Sequence, residues 1–138
     1  MKVKVSEATE VQLDWMVAKA EGFTSSQSRD ETEAWLEHAD GRIGYSGKFN
    51  YSTDWSQGGP IIEREGILLR PLRRGGHTLD GQWLAMFDGE NTGTMVQWVK
   101  RTDWIRHYWS GPTPLIAAMR CYVASKLGDE PEVPDELR

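Results

Sequence analysis

One cysteine, Cys121, is all that this chain of 138 residues contains. An intramolecular disulfide is therefore excluded, and so is a cysteine-based metal site, which needs several thiolates at short spacing. Such a chain suits a reducing compartment. Cations are also in short supply, with 16 Lys and Arg against 21 Asp and Glu and a formal net charge of −5. That balance argues against a dedicated binder of duplex DNA, which neutralises phosphates with a basic face. No run approaches the ~18 apolar residues of a membrane span. The opening Met1-Lys2-Val3-Lys4-Val5 alternates in character and lacks the apolar core of a signal peptide. The expectation is a cytoplasmic protein with no membrane partner.

Tryptophan is what the chain has in abundance: Trp15, Trp35, Trp55, Trp83, Trp98, Trp104 and Trp109. Each ring can bury roughly 150–250 Å², so their first use is to fill the core of a small domain. Their second use is to line a pocket, where a flat face stacks on a base or sugar. The length is that of one domain, expected over 1–128, with a polar insertion at 24–33 and an exposed acidic tail at 129–138.

Local signals give the elements. Lys2 to Val5 alternates like a short strand. Thr9 and Gln12 form a capping box ahead of Leu13, Met16, Val17 and Ala20 at helical spacing, with Gly22 as the stop, which predicts a helix over 10–21. Ala34 to His38 reads as a helical turn and 43–51 as a strand or hairpin arm. Gly58-Gly59 reads as a corner and Pro60 as the first position of a two-turn helix closed by Gly66. Strands are expected at 67–70, 82–87 and 94–100. The last helix is the clearest: Thr113 caps, Pro114 opens, Leu115, Ile116, Met119, Val123 and Leu127 form the stripe, and Gly128 ends it. Ala117, Cys121 and Ala124 add a seam of small side chains, which leaves a homodimer open. This order does not alternate regularly, and it predicts an α+β domain, helices packed on a largely antiparallel sheet in a helix–sheet–helix sandwich-like arrangement.

Chemistry-bearing groups are scattered. Ser46, Ser52, Thr53, Cys121, His38, His77 and His107 lie in no nucleophile-elbow pattern, and Cys121 in a helix reads as a packed thiol. His38 with Asp40, and Asp103 with His107, are pairs rather than metal sites, so no metal and no cofactor are expected. Glu63 and Glu65 diverge on a helix around Arg64. Arg70, Arg73, Arg74 and His77 could meet phosphate oxygens or could simply solvate a loop. Lys100, Arg101 and Arg106 interleave with Trp98, Trp104, Tyr108 and Trp109, a pattern suited to single-stranded nucleic acid, a nucleotide or a protein partner. The densest cluster is Tyr51-Ser52-Thr53-Asp54-Trp55. Asp54 there is either a turn cap or part of a polar and aromatic corner for a small ligand. In the second case the backbone N–H groups at Gly58 and Gly59 and the helix start would take an anion.

Two stretches, "YSTDWSQGGPIIEREGI" and "GPTPLIAAMRCYVASKLGDEPEVPDEL", together with the opening "MKVKVSE…LDWMVAKAEG", resemble the NinX-like proteins of lambdoid phages and prophages. The matches cover about half the chain; the segment 24–33 and the span 70–100 depart from the pattern. The resemblance implies a phage-encoded accessory protein acting in the host bacterial cytoplasm, and it implies no reaction.

The resulting expectation is a non-enzymatic binder of a small polar ligand, with a nucleotide-type host defence signal as one such ligand. Tyr51, Thr53, Asp54 and Trp55 would orient it, Gly58 and Gly59 would allow close backbone approach, and Arg64 or Arg120 would pair with an anion. The alternative is a protein-interaction module that inhibits a host enzyme through the aromatic surface from Trp98 to Trp109.

Overall fold

A computed structural model describes residues 1–25, 35–45, 48–72, 81–87 and 108–137. The expected strand at 94–100, all but Thr24 and Ser25 of the polar insertion at 24–33, the cations Arg73, Arg74 and His77, and most of the aromatic stretch 98–109 lie outside the described residues.

Helix α1 (Glu10–Ala20) starts where the capping box places it. Gln12 N–H donates to Thr9 Oγ1 at 3.3 Å and Thr9 N–H donates to Gln12 Oε1 at 3.0 Å. A three-stranded antiparallel sheet follows, in the order β1 (Thr24–Ser25), β2 (Trp35–Glu37), β3 (Ile43–Tyr45). The expected helical turn over 34–38 is thus a strand. Three residues carry too little periodicity to mark a helix, and pairing with both neighbours decides the outcome. Helix α2 (Trp55–Glu65) leads into the second antiparallel sheet, β4 (Ile67–Pro71), β5 (Trp83–Phe87) and β6 (Trp109–Gly111), in sequential order. Helix α3 (Pro114–Leu127) closes the domain.

Helix α3 is the centre of the packing. Its residues Leu115 to Met119 and Cys121 to Val123 are all buried, with the second sheet on one side and α1 and α2 on the other. Two devices let the layers come this close. A Cβ on Gly111 would stand 2.7 Å from the Ala117 amide nitrogen, so β6 passes α3 only because that side chain is absent. Of the small seam Ala117, Cys121 and Ala124, the first two are buried inside the chain and Ala124 is half-buried. Along β4 and β5 the sheet face alternates, Ile67, Leu69, Ala85 and Phe87 joining the core while Leu68 stands exposed on the other side. Leu127, expected in the apolar stripe, is also exposed, one turn past the buried part of α3. The class is α+β, as the order of elements predicted.

The tail does not behave as an exposed acidic segment. Pro131, Val133 and Leu137 are buried, and the chain lies antiparallel to the N-terminal segment through a bridge between Lys2 and Glu132. Val3 N–H donates to the Pro131 carbonyl at 3.2 Å, and Val133 N–H donates to the Met1 carbonyl at 2.8 Å. Apolar residues at 131 and 133 alternate with exposed acids, and prolines hold that stretch extended. The expected strand at Lys2 to Val5 is reduced to this bridge, and Val5 opens a 3-10 turn, Val5–Glu7. Among the described residues no helix is long and apolar enough to cross a membrane.

Candidate functional site

The polar corner is built by the start of α2. The helix begins at Trp55, five residues before the position expected from Pro60, and Asp54 is its N-cap. Asp54 Oδ1 accepts from Ser56 N–H at 2.8 Å and from Ser56 Oγ–H at 2.7 Å. The Ser56 side chain and N–H hold the Asp54 carboxyl below its usual range. Gly58 and Gly59 therefore lie inside the helix rather than at a corner. Gly58 N–H donates to the Asp54 carbonyl at 2.9 Å, so it is not available to an anion. A Cβ on Gly58 would collide with the Tyr51 carbonyl oxygen and stand 2.6 Å from Leu115 Cδ1. Gly58 is there so that α2 can press on α3; Gly59 faces open space, with Trp55 Cε3 3.8 Å from where a Cβ would be.

The two arginines expected to meet an anion are in different places. Arg64 ties three helices together. Its Nη2 donates to Glu21 Oε1 at 3.0 Å and to the Tyr122 hydroxyl at 3.2 Å, and its Nε donates to Glu65 Oε1 at 3.3 Å. Hydrogen bonding to Glu21 raises its pKa further. Burial pushes the Tyr122 phenol up to about 12, so it keeps its proton, which it shares with the Ala20 carbonyl at 3.4 Å. Arg120 is two residues from Tyr122, which on a helix is a turn of about 200°. It points to β6, where Nη1 donates to the Ser110 carbonyl at 2.8 Å. Arg64 and Arg120 cannot serve one ligand.

Beneath the corner lies a buried carboxylate that sequence reasoning passed over. Asp14, 4% exposed on α1, accepts Ser52 N–H at 2.7 Å. The Ser52 hydroxyl sits beside the same carboxyl and favours its ionised form, though without the geometry of a full hydrogen bond. Burial outweighs both contributions and raises the Asp14 pKa from 3.8 to about 6. This contact fixes the 51–54 turn to the core.

Tyr51 faces an open groove of about 400 Å³ whose lining includes Phe23, Arg42, Lys48, Phe49 and Gln57. Phe49 stacks on Tyr51, centroids 6.0 Å apart and planes within 9°, and meets Phe23 edge-on at 5.1 Å. Gly44 makes room for this, since a Cβ there would strike Phe49. The Arg42 guanidinium sits 5.2 Å from the Phe23 centroid, with Asp40 Oδ2 accepting from its Nε at 2.6 Å. His38 Nδ1 accepts the Asp40 backbone N–H at 3.2 Å, so the His38 and Asp40 pair noted in the sequence closes on itself beside this ion pair. Lys48 is exposed and has no acidic partner among the described residues. Thr53, Asp54 and Trp55 are not in the groove's lining; Trp55 is 54% exposed at the helix start. A second recess, lined by Lys4, Ser6, Trp109, Asp129 and Glu130, already holds charges of both signs.

Of the expected ligand residues, the structure thus puts only Tyr51 in the groove. Phe23, Arg42, Lys48, Phe49 and Gln57 were missed because they come from separate segments. The signal that could have found most of them is "GRIGYSGKFNY" at 41–51, two cations and three rings spaced by glycines and ending at the corner. Among the described residues no three His, Cys, Asp or Glu side chains gather as metal ligands would. Cys121 is buried, and burial pushes its thiol up to about 12, which keeps it protonated and unreactive.

The class that fold and site define is a small α+β domain with an aromatic and cationic groove. The family model described as "Bacteriophage P22, NinX" matches residues 4–126, and the chain belongs to that family of phage proteins. The match runs through both stretches where the sequence departs from the pattern quoted above. No curated protein matches the chain.

Proposed function

We propose that this phage accessory protein binds a small anionic ligand of nucleotide type at the Tyr51 groove, and that such a ligand is a signal of the host's defence. One observation carries the reading: stacked aromatic faces (Phe49 and Tyr51) stand beside Arg42 and Lys48 in a recess whose lining, among the described residues, holds no acid and gives Lys48 no acidic partner. Rings supply a face for a base, worth about 1–3 kcal/mol per stacked base, and the cations meet its phosphate. Asp54, Gly58 and the Asp14–Ser52 contact act on the ligand only by holding Tyr51 in place. The protein needs no catalytic group for this role, and sequestration is its natural mechanism.

Isothermal titration with a panel of nucleoside monophosphates and cyclic nucleotides tests this. Binding by the wild type that weakens at least about tenfold in Tyr51→Ala is expected from the lost stack. A wild type that binds none of the panel overturns the reading.

A second reading, a module that inhibits a host enzyme, is moved here from the expected surface at Trp98 to Trp109, most of which lies outside the described residues, to Trp55. A tryptophan more than half exposed at the start of a packed helix is the kind of residue that anchors protein interfaces. Trp55→Ala separates the two, since it would abolish capture of a protein partner and spare nucleotide binding.

A further inference from the structure

Gln57 is the one side-chain amide among the described residues that line the groove, and its orientation is fixed from below. The Asn50 backbone N–H donates to Gln57 Oε1 at 2.8 Å. An N–H can only be met by the amide oxygen, so the NH2 end of Gln57 is what remains to offer a ligand. The other polar groups of the groove agree in sign. Arg42 and Lys48 are donors without lone pairs to give. Burial pushes the Tyr51 phenol up, so it too carries a proton to donate. Among the described residues, the carboxylate that touches this set, Asp40, is turned to Arg42, whose Nε and backbone N–H it accepts at 2.6 and 3.0 Å. The described wall of the groove is therefore a donor surface around aromatic faces.

We infer that Gln57 reads the acceptor edge of the ligand's ring, so that the groove selects a flat heterocycle presenting a carbonyl or unprotonated ring nitrogen beside Gln57 and an anionic group toward Lys48. This rests on the groove being a nucleotide-type site. It goes further by assigning a specificity-determining residue and the polarity of the edge it recognises. A ring that presents an amino group at that position would leave two donors face to face, and a buried unpaired donor is costly.

Gln57→Glu is the informative substitution. A carboxylate oxygen still accepts the Asn50 N–H, so the turn before α2 keeps its bond, while the groove gains an acceptor and a negative charge in place of a donor. For whichever nucleotide of the titration panel binds the wild type, the expected result is at least about a tenfold loss of affinity, with an unfolding midpoint close to that of the wild type. Gln57→Ala, which deletes the donor without adding charge, is expected to relax discrimination between oxo- and amino-bearing bases. A Gln57→Glu protein that binds the same nucleotide as tightly, or a Gln57→Ala protein with unchanged base preference, overturns the assignment while leaving the groove standing. A wild type that binds none of the panel overturns both.

Discussion

Asp14 gives a prediction whose sign and size follow from one buried contact. Its carboxyl is raised from 3.8 to about 6 because the folded chain takes it out of water. A carboxyl that holds its proton more tightly when folded gains stability as pH falls. Above the folded pKa the buried charge is carried in full. As pH drops below about 6 the folded form takes up a proton that the unfolded form does not yet bind. Below about 3.8 both are protonated and the gain is complete. Linkage over that interval amounts to about 3 kcal/mol in total, of which about 1.4 kcal/mol accrues between roughly pH 7.5 and pH 5. Asp14→Asn isolates it. The amide oxygen can still accept the Ser52 N–H, the charge is gone, and every other titrating group is unchanged. Urea unfolding of both proteins should show the wild type gaining stability relative to Asp14→Asn by about 1.4 kcal/mol on going from about pH 7.5 to pH 5. Parallel pH profiles would mean that Asp14 does not titrate as a buried group, and would refute its burial as a desolvated carboxyl beneath the 51–54 turn.

Gly58→Ala should destabilise by about 1–3 kcal/mol, because the Cβ meets Leu115 and the Tyr51 carbonyl, whereas Gly59→Ala should stabilise by up to about 1 kcal/mol through helix propensity; chemical denaturation of the pair checks both. Thr113→Ala removes the cap of the central helix, where Ile116 N–H donates to Thr113 Oγ1 at 3.1 Å, and should cost about 1 kcal/mol by the same measurement. Tyr122→Phe should cost about 1 kcal/mol with no change in ligand affinity, since among the described residues its hydroxyl meets Arg64 and the Ala20 carbonyl, neither of them in the groove. Lys48→Glu should leave the unfolding midpoint unchanged and weaken nucleotide binding about tenfold, an effect that calorimetry should find reduced at high salt.

The parts of the fold legible in sequence are those set by short-range chemistry. Thr9 with Gln12, Thr113 with Pro114, and the glycines at 66 and 128 each act on their own few residues, and the helices begin or end there. Where a distant contact decides, the pattern misled. Gly58-Gly59-Pro60 carries three weak helix formers and reads as a break, yet α2 runs through it because Gly58 fits against Leu115. Trp35–Glu37 becomes a strand only through its neighbours. The tail's charge concealed Val133 and Leu137, whose burial depends on the chain's other end. The candidate site follows the same rule. Asp54 stood out because it is flanked by hydroxyls and an indole, yet its carboxylate is spent on capping Ser56, while Ser52 pairs with Asp14. The groove draws on Phe23, Arg42, Lys48, Phe49, Tyr51 and Gln57, residues up to 34 positions apart in the chain that meet only in the fold. Tyr51 belongs to both and was the one residue through which local reasoning touched the site.

The central claim is that the ring face of Tyr51 and the charge of Lys48 form one binding surface. Titrating the bound member of a nucleotide panel into the wild type, Tyr51→Ala, Lys48→Glu and Trp55→Ala measures this most directly. The account predicts that the first two variants lose about tenfold or more in affinity and that Trp55→Ala keeps it. Affinity lost in Trp55→Ala and retained in Tyr51→Ala would contradict the account and move the site to the start of α2.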